Sequence, residues 1–326
     1  VLEIPRTACV TLGAVKGSGT AIGRTRTSAL LAQLPAEERA IAAVNADFFA
    51  FTPAGVPTGA HVEKGRVVSG PGARPVFVID SGGAPHIVTL RTDGWVAHRD
   101  RRVALAAWNR WPATGLALLD AQWGVPRDST ADSAVIVSAR RLDAQRVLVL
   151  SGAPPVSARG DTVLLLASTG RALERAFLQS VRAGDTLAVH TALGPVAPRD
   201  AVGGFPLLLS RGQRSPTLDQ DGAASFRGVN PRTAIGWNAR TIWLVVIDGR
   251  QPAWSVGTTT AETADVLAAL GADEALNLDG GGSSALVVRD PRTGAVQVVN
   301  RPSDATGERA VGNALVVYDR CSAPAR

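Results

Sequence analysis

Nine short apolar or β-branched runs, each closed by Gly, Pro, Asp or an arginine-rich turn, recur along the chain and constrain its fold most. They occupy residues 41–44, 76–79, 134–137, 147–150, 163–166, 187–189, 207–209, 242–247 and 285–288. Runs this short are the length of strands, not of helices. Two longer segments read as helices. Residues 168–182 end at the stop Ala183-Gly184-Asp185. Residues 259–270 open on Thr259-Thr260-Ala261-Glu262, the pattern of a capping box, and end at Gly271. A third, at 28–34, is shorter. Strands outnumber helices without alternating regularly with them, which predicts an α+β fold: a mixed β-sheet core with few helices. No internal repeat, low-complexity tract or linker divides the chain, so a single domain over residues 1–326 is expected. Around 242–288 a strand–helix–strand unit is expected to set 242–247 and 275–278 side by side in parallel, with their carboxyl ends at one sheet edge.

Charge narrows the partners. Lys+Arg number 34 against 28 Asp+Glu, and lysine occurs only at Lys16 and Lys64. Arginine forks match phosphate oxygens, although a plain compositional preference for arginine gives the same count. The arginines are scattered, and the densest cluster, His98-Arg99-Asp100-Arg101-Arg102, carries an acid inside it. That is no nucleic-acid stripe, so no nucleic-acid partner is expected. No apolar run approaches the roughly 18 residues that a membrane span needs. The chain begins at Val1 and contains no methionine, which fits either a processed, exported protein or a chain otherwise trimmed at its start; export, to the periplasm or outside the cell, is the expectation. Cys9 and Cys321 stand near opposite ends. A disulfide in an oxidising compartment and two unrelated thiols both fit, the disulfide being the expectation for an exported chain.

Chemistry concentrates in two stretches at strand ends. One is Asn45-Ala46-Asp47-Phe48-Phe49. The other runs from Asn230-Pro231-Arg232-Thr233 through Asp248-Gly249-Arg250 to Asn277-Leu278-Asp279-Gly280-Gly281-Gly282-Ser283-Ser284. Three glycines after an aspartate let backbone approach a ligand closely, with amide hydrogens free to face an anion. The glycine run has no lysine and is not a phosphate-binding Walker loop, and no Gly-x-Ser-x-Gly elbow occurs. His61, His86, His98 and His190 are isolated. No cofactor is expected, and the ligand spacing gives no support to a divalent metal such as calcium or magnesium.

Taken in order with Gly203-Gly204-Phe205-Pro206, Glu262, Val299-Asn300-Arg301-Pro302 and Gly312-Asn313-Ala314-Leu315, these stretches resemble the phosphodiester glycosidase family over about residues 41–318. The resemblance implies a hydrolase that removes a sugar from a sugar 1-phosphodiester, small or polymeric, by cleavage on the sugar side of the phosphate. The family pattern more usually has Gly-Gly where this chain has Ala46-Asp47, which leaves the substrate open.

The resemblance implies catalytic roles for Asp279, Asp248 and Glu262. It implies substrate contacts from Arg232, Asn45, Thr233, Arg250, Asn277, Gly280, Gly281, Gly282 and Ser283, and Asp47, the carboxylate added where the chain departs from the family pattern, is a further candidate contact. Each has a plainer alternative. Asp279 and Asp248 could simply shape Asp-Gly turns, Glu262 could close its capping box, and Arg232 could be a solvated arginine. Asn45, Asn277 and Ser283 could serve turns, while Trp243 and Trp254 are more often core than sugar platforms. Two rival functions stand beside the glycosidase. One is a phosphodiesterase using a metal on Asp47, Asp248 and Asp279; the other is a non-catalytic exopolysaccharide-binding module.

Overall fold

The computed structural model describes residues 1–7, 9–111, 114–126, 134–168 and 170–321. Every one of the nine apolar runs falls in a strand to within about a residue. The class, however, is mostly β rather than α+β, with 42% of residues in strands and 12% in helices. Many strands carry too mixed a pattern to stand out in sequence. Arg91–His98, for example, mixes Arg, Thr, Asp, Gly and His with Trp and Val, and Arg101–Trp108 opens on two arginines and is broken up by small alanines.

Those two strands belong to a closed seven-stranded barrel, the feature that most changes the class. Its order is Arg101–Trp108, Leu116–Leu119, Thr162–Ala167, Val135–Arg141, Arg146–Val149, Thr186–Gly194 and Arg91–His98. Leu116, Leu118, Val163, Leu165, Leu187 and Val189 pack its core together with Phe177 and Leu178 of helix Ala172–Ser180. This helix lies inside the expected 168–182 segment, of which Thr169 is outside the described residues.

The rest of the chain builds open antiparallel sheets on a shared core. A six-stranded sheet runs Leu2–Pro5, Thr241–Ile247, Arg232–Trp237, Glu274–Asn277, Leu207–Ser210, Gln213–Arg214. A five-stranded sheet runs Val10–Val15, Ala314–Asp319, Ala40–Asn45, Leu286–Arg289, Val296–Val298. Their inner faces meet through Ile4, Val44, Ile235, Leu244, Leu276, Leu278 and Leu315, joined by Phe77 and Val202 of a third sheet. Helix Thr260–Ala269 covers the outer face of the first sheet, and Leu30 and Leu31 of helix Thr27–Gln33 cover that of the second.

The expected strand–helix–strand unit does not form as an adjacent pair. Thr241–Ile247 has both flanks occupied, by Leu2–Pro5 and by Arg232–Trp237. The second pairing is local: Asn238 Oδ1 accepts the Arg240 and Thr241 amides and closes a tight hairpin. The strand after helix Thr260–Ala269 therefore docks on the far side of Arg232–Trp237, where Ala234 pairs with both Val245 and Asn277.

Val10 pairs with Asp319, and beside that register Cys9 and Cys321 are disulfide-bonded across 312 residues of sequence. Among the described residues no helix is long and apolar enough to cross a membrane. Cys9→Ser or reduction is expected to lower unfolding free energy by about 2–4 kcal/mol, because the bond restricts the unfolded chain. Denaturant titration with and without reductant checks this, and superimposable curves would count against it.

Candidate active site

Three strand ends meet at one end of the packed sheets. Asn45 closes Ala40–Asn45, Arg232 opens Arg232–Trp237, and Asn277 closes Glu274–Asn277. The segment leaving Asn277 is stitched to both sheets: Leu278 N–H donates to Thr233 O at 2.8 Å and Asp279 N–H to Ala46 O at 2.8 Å. Asn45, wholly buried, completes the seam. Its Nδ2 donates to Asp279 O at 2.6 Å, and its Oδ1 accepts Thr233 Oγ1 at 2.7 Å and the Ala285 amide at 3.1 Å. Asn277 Nδ2 donates to the carbonyls of Phe205 and Leu278, both at 2.7 Å. These polar side chains hold the loop that presents Asp279.

That loop borders a cleft of about 510 Å³ lined by Phe48, Ser225, Phe226, Asn230, Arg232, Arg250, Asp279, Gly280, Gly281 and Arg309. Asp279 is the one carboxylate among these lining residues, against three arginines. Burial pushes its carboxyl up to about 6, although Ser283, Arg309 and the Gly280 amide each pull the other way. Ser283 Oγ, Ser284 Oγ and Asn277 Oδ1 are each buried without a close hydrogen-bond partner in the protein.

The three arginines differ in freedom. Arg232 is 2% exposed and spends Nε on Thr258 O at 3.0 Å and Nη2 on the carbonyls of Phe226, Arg227 and Gly228. Burial, then the charge of Arg250, lowers it to about 10, so it stays cationic at neutral pH. Arg250 is exposed, donates to Asn230 Oδ1 at 2.8 Å and lies over Gly281. Arg309 is gripped by Asp304 through two bonds, at 2.7 and 2.9 Å. A side chain at Gly282 would fall 2.0 Å from Asp304 Oδ1 and 2.2 Å from Arg309 Nη2, so the glycine admits that ion pair to the loop. An aromatic wall completes the site. Phe226 packs at a tilt 5.7 Å from Phe48 and 5.9 Å from Phe205, while Arg74 lies over both of those rings at 5.4 and 5.3 Å.

Other candidates sit elsewhere. The Asp248 carboxylate is outside the cleft lining. It accepts Trp254 Nε1 at 2.9 Å, Asn300 Nδ2 at 3.0 Å and the Arg301 amide at 3.0 Å. Glu262 is exposed and closes the capping box of helix Thr260–Ala269, and the Thr259 amide holds its carboxyl below the usual range. Asp47 is buried and outside the cleft lining, accepting the Gly59 amide at 2.7 Å; burial raises it to about 7. Gly203 makes room for it, since a Cβ there would meet its Oδ2 at 2.6 Å. Asp47, Asp248 and Asp279 thus have separate surroundings, and among the described residues no three acidic, His or Cys side chains gather into a metal-sized cluster.

Phe226 and Arg309 escape sequence reasoning. Phe226 sits in the single-turn helix Ala224–Arg227, with no motif around it. Arg309 follows the Asp304 segment, and its one signal is the third glycine of 280–282, whose need for space is invisible without the fold.

Solved structures with similar folds exist. A hypothetical protein from Synechocystis superposes with a TM-score of 0.75 at 22% identity, over 98% of this chain; this chain spans 59% of that one. A protein of Burkholderia pseudomallei K96243, whose name assigns it to export, superposes with a TM-score of 0.70 at 27% identity, over 95% of this chain and 71% of its own. The pro-peptide-inhibited catalytic domain of zebrafish N-acetylglucosamine-1-phosphodiester alpha-N-acetylglucosaminidase aligns over 96% of this chain and 73% of its own. At 15% identity and a TM-score of 0.47, that likeness carries no argument. No curated protein sequence matches the chain. The phosphodiester glycosidase family model matches residues 151–318, more than half of the chain, and takes in Arg232, Arg250, Asp279 and Arg309. The chain belongs to the phosphodiester glycosidase family.

Proposed function

We propose that the cleft hydrolyses a sugar 1-phosphodiester on the sugar side of the phosphate. The observation that carries this is a lone carboxylate, Asp279, facing Arg232, Arg250 and Arg309 beside an aromatic wall. The bond from the anomeric carbon to the bridging oxygen breaks, and its electron pair leaves with the phosphate monoester. Water supplies hydroxide to the anomeric carbon and releases a proton. Ionised Asp279 stabilises the positive charge that develops on the sugar, and the arginines take the departing anion. A phosphate monoester is a weakly basic leaving group, so the site can work without a second carboxylate as general acid. Phe48 and Phe226 offer apolar faces to the sugar ring.

Turnover in oxygen-18 water tests the proposal. Label is expected in the released sugar. Label in the phosphate would instead support the metal-dependent phosphodiesterase, and binding without turnover the non-catalytic module. We place the protein outside the cytoplasm. The Cys9–Cys321 bond and the exported name of the Burkholderia relative support that placement.

A further inference from the structure

Of the two tryptophans expected in the core, Trp243 is 4% exposed and Trp254 64%, and neither lines the cleft. The aromatic surface there belongs to Phe48 and Phe226, and what seats these rings lies outside the cleft. The exposed Arg74 sets its guanidinium over Phe48 and Phe205, and both rings pack on Phe226. A cation resting on rings in water is weakly held, and a long arginine side chain samples many rotamers. Arg74 has a second anchor. Its Nη1 donates to Thr58 Oγ1 at 3.4 Å, and that hydroxyl donates its one proton to Asp47 Oδ1 at 3.3 Å. Both bonds are long, and charge adds to them, since Arg110 and Arg74 each stabilise the Asp47 carboxylate. Thr58 is tied to the same wall, because its amide donates to Phe48 O at 2.8 Å.

The carboxylate occupies a built position. Its Oδ2 accepts the Gly59 amide at 2.7 Å, and a Cβ at Gly59 or Gly203 would fall 3.0 or 2.6 Å from that oxygen. Arg110 spends its guanidinium on the carbonyls of Gly70, Pro57 and Gly59 and on Ser69 Oγ. The second carboxylate oxygen is thus left to Thr58. We propose that Asp47 is a positioning residue: through Thr58 it holds Arg74 over Phe48 and Phe205, and so fixes the aromatic wall of the cleft. Its consequence for substrate rests on the reading of the cleft as a sugar 1-phosphodiester site. Asp47→Asn reverses the chain of bonds. The Gly59 amide needs an oxygen, so the new amide nitrogen turns toward Thr58. Thr58 Oγ1 then receives a donor where it gave one, and no negative charge remains to draw Arg74 in. Thr58→Val keeps both charges and the side-chain shape but removes the hydroxyl between them.

Fluorine NMR of the full chain labelled with 4-fluorophenylalanine reads the rings without turnover. Asp47→Asn, Thr58→Val and Arg74→Ala are each expected to shift the Phe48 and Phe205 signals and to leave that of Phe177, in the barrel core, in place. Each should also raise KM by about three- to tenfold with kcat changed by less than about twofold, because the wall binds ground state and transition state alike. Asp47→Asn combined with Arg74→Ala should cost no more than the larger single loss, the mark of one device. If Asp47 only balances the buried charge of Arg110, the ring signals answer Arg74→Ala but neither Asp47→Asn nor Thr58→Val, and the proposal falls. KM effects that multiply in the double variant overturn it equally. Should Asp47→Asn not fold, Thr58→Val against Arg74→Ala decides by the same two readouts. Oxygen-18 appearing in phosphate would sink the glycosidase reading alone, since the ring signals are read without cleavage.

Discussion

Asp279→Asn is expected to fold normally and to lose kcat on a sugar 1-phosphodiester by on the order of 10³- to 10⁴-fold, the scale for removing one essential catalytic group. Folding survives because the loop is anchored by backbone: the Asp279 amide donates to Ala46 O and its carbonyl accepts from Asn45. Burial already disfavours the charged form of the side chain, with its carboxyl raised to about 6, and the near-isosteric amide removes that buried charge without changing shape. The same value sets a pH profile. A carboxylate that must be ionised is protonated, and inactive, below its pKa, so kcat/KM should climb through about pH 6 to a plateau. A bound phosphodiester adds a nearby negative charge and moves the limb in kcat to higher pH. If Asp279 were instead a general acid, activity would fall above pH 6. A fully active Asp279→Asn, or a profile falling through that range, removes the carboxylate from the proposed role.

How much of this is legible in sequence depends on whether the determining interactions are local. Helix Thr260–Ala269 is, because Thr259 and Glu262 cap it through bonds three residues apart. That same self-sufficiency keeps Glu262 out of the cleft. The nine apolar runs mark strands, but pairing is a long-range matter. Closing Arg91–His98 onto both Arg101–Trp108 and Thr186–Gly194 makes the barrel, and no pattern within one strand announces its second neighbour. Within the site, the glycine run after Asp279 is legible as a place of close approach. What approaches is not, since Asp304 and Arg309 arrive from more than twenty residues downstream. Asp248 shows the other limit. Asp-Gly after a strand is equally good as a catalytic carboxylate or an anchor for a turn, and its partners Trp254, Asn300 and Arg301 decide between them only in three dimensions.

Asn45 makes the same point energetically, and replacing it is expected to have the largest effect on stability. Read in sequence it is a substrate contact or a turn former; in the fold it is 0% exposed and joins three separate segments through its amide. Asn45→Ala would leave the Thr233 hydroxyl, the Ala285 amide and the Asp279 carbonyl without their partner. Each buried orphan costs about 1–3 kcal/mol, and because neighbouring losses do not add fully, a total of about 3–5 kcal/mol is expected. Asn45→Asp keeps the acceptor but sets a carboxylate against the Asp279 carbonyl where a donor stood, and should destabilise at least as much. Kinetics then separate scaffold from contact. Loosening the Asp279 carbonyl lets the carboxylate drift from its proposed catalytic place, so surviving folded protein should lose kcat with KM little changed. A side chain that touches substrate would give the opposite pattern, a raised KM with unfolding free energy intact, and that result from denaturant titration and steady-state kinetics would return Asn45 to the binding surface.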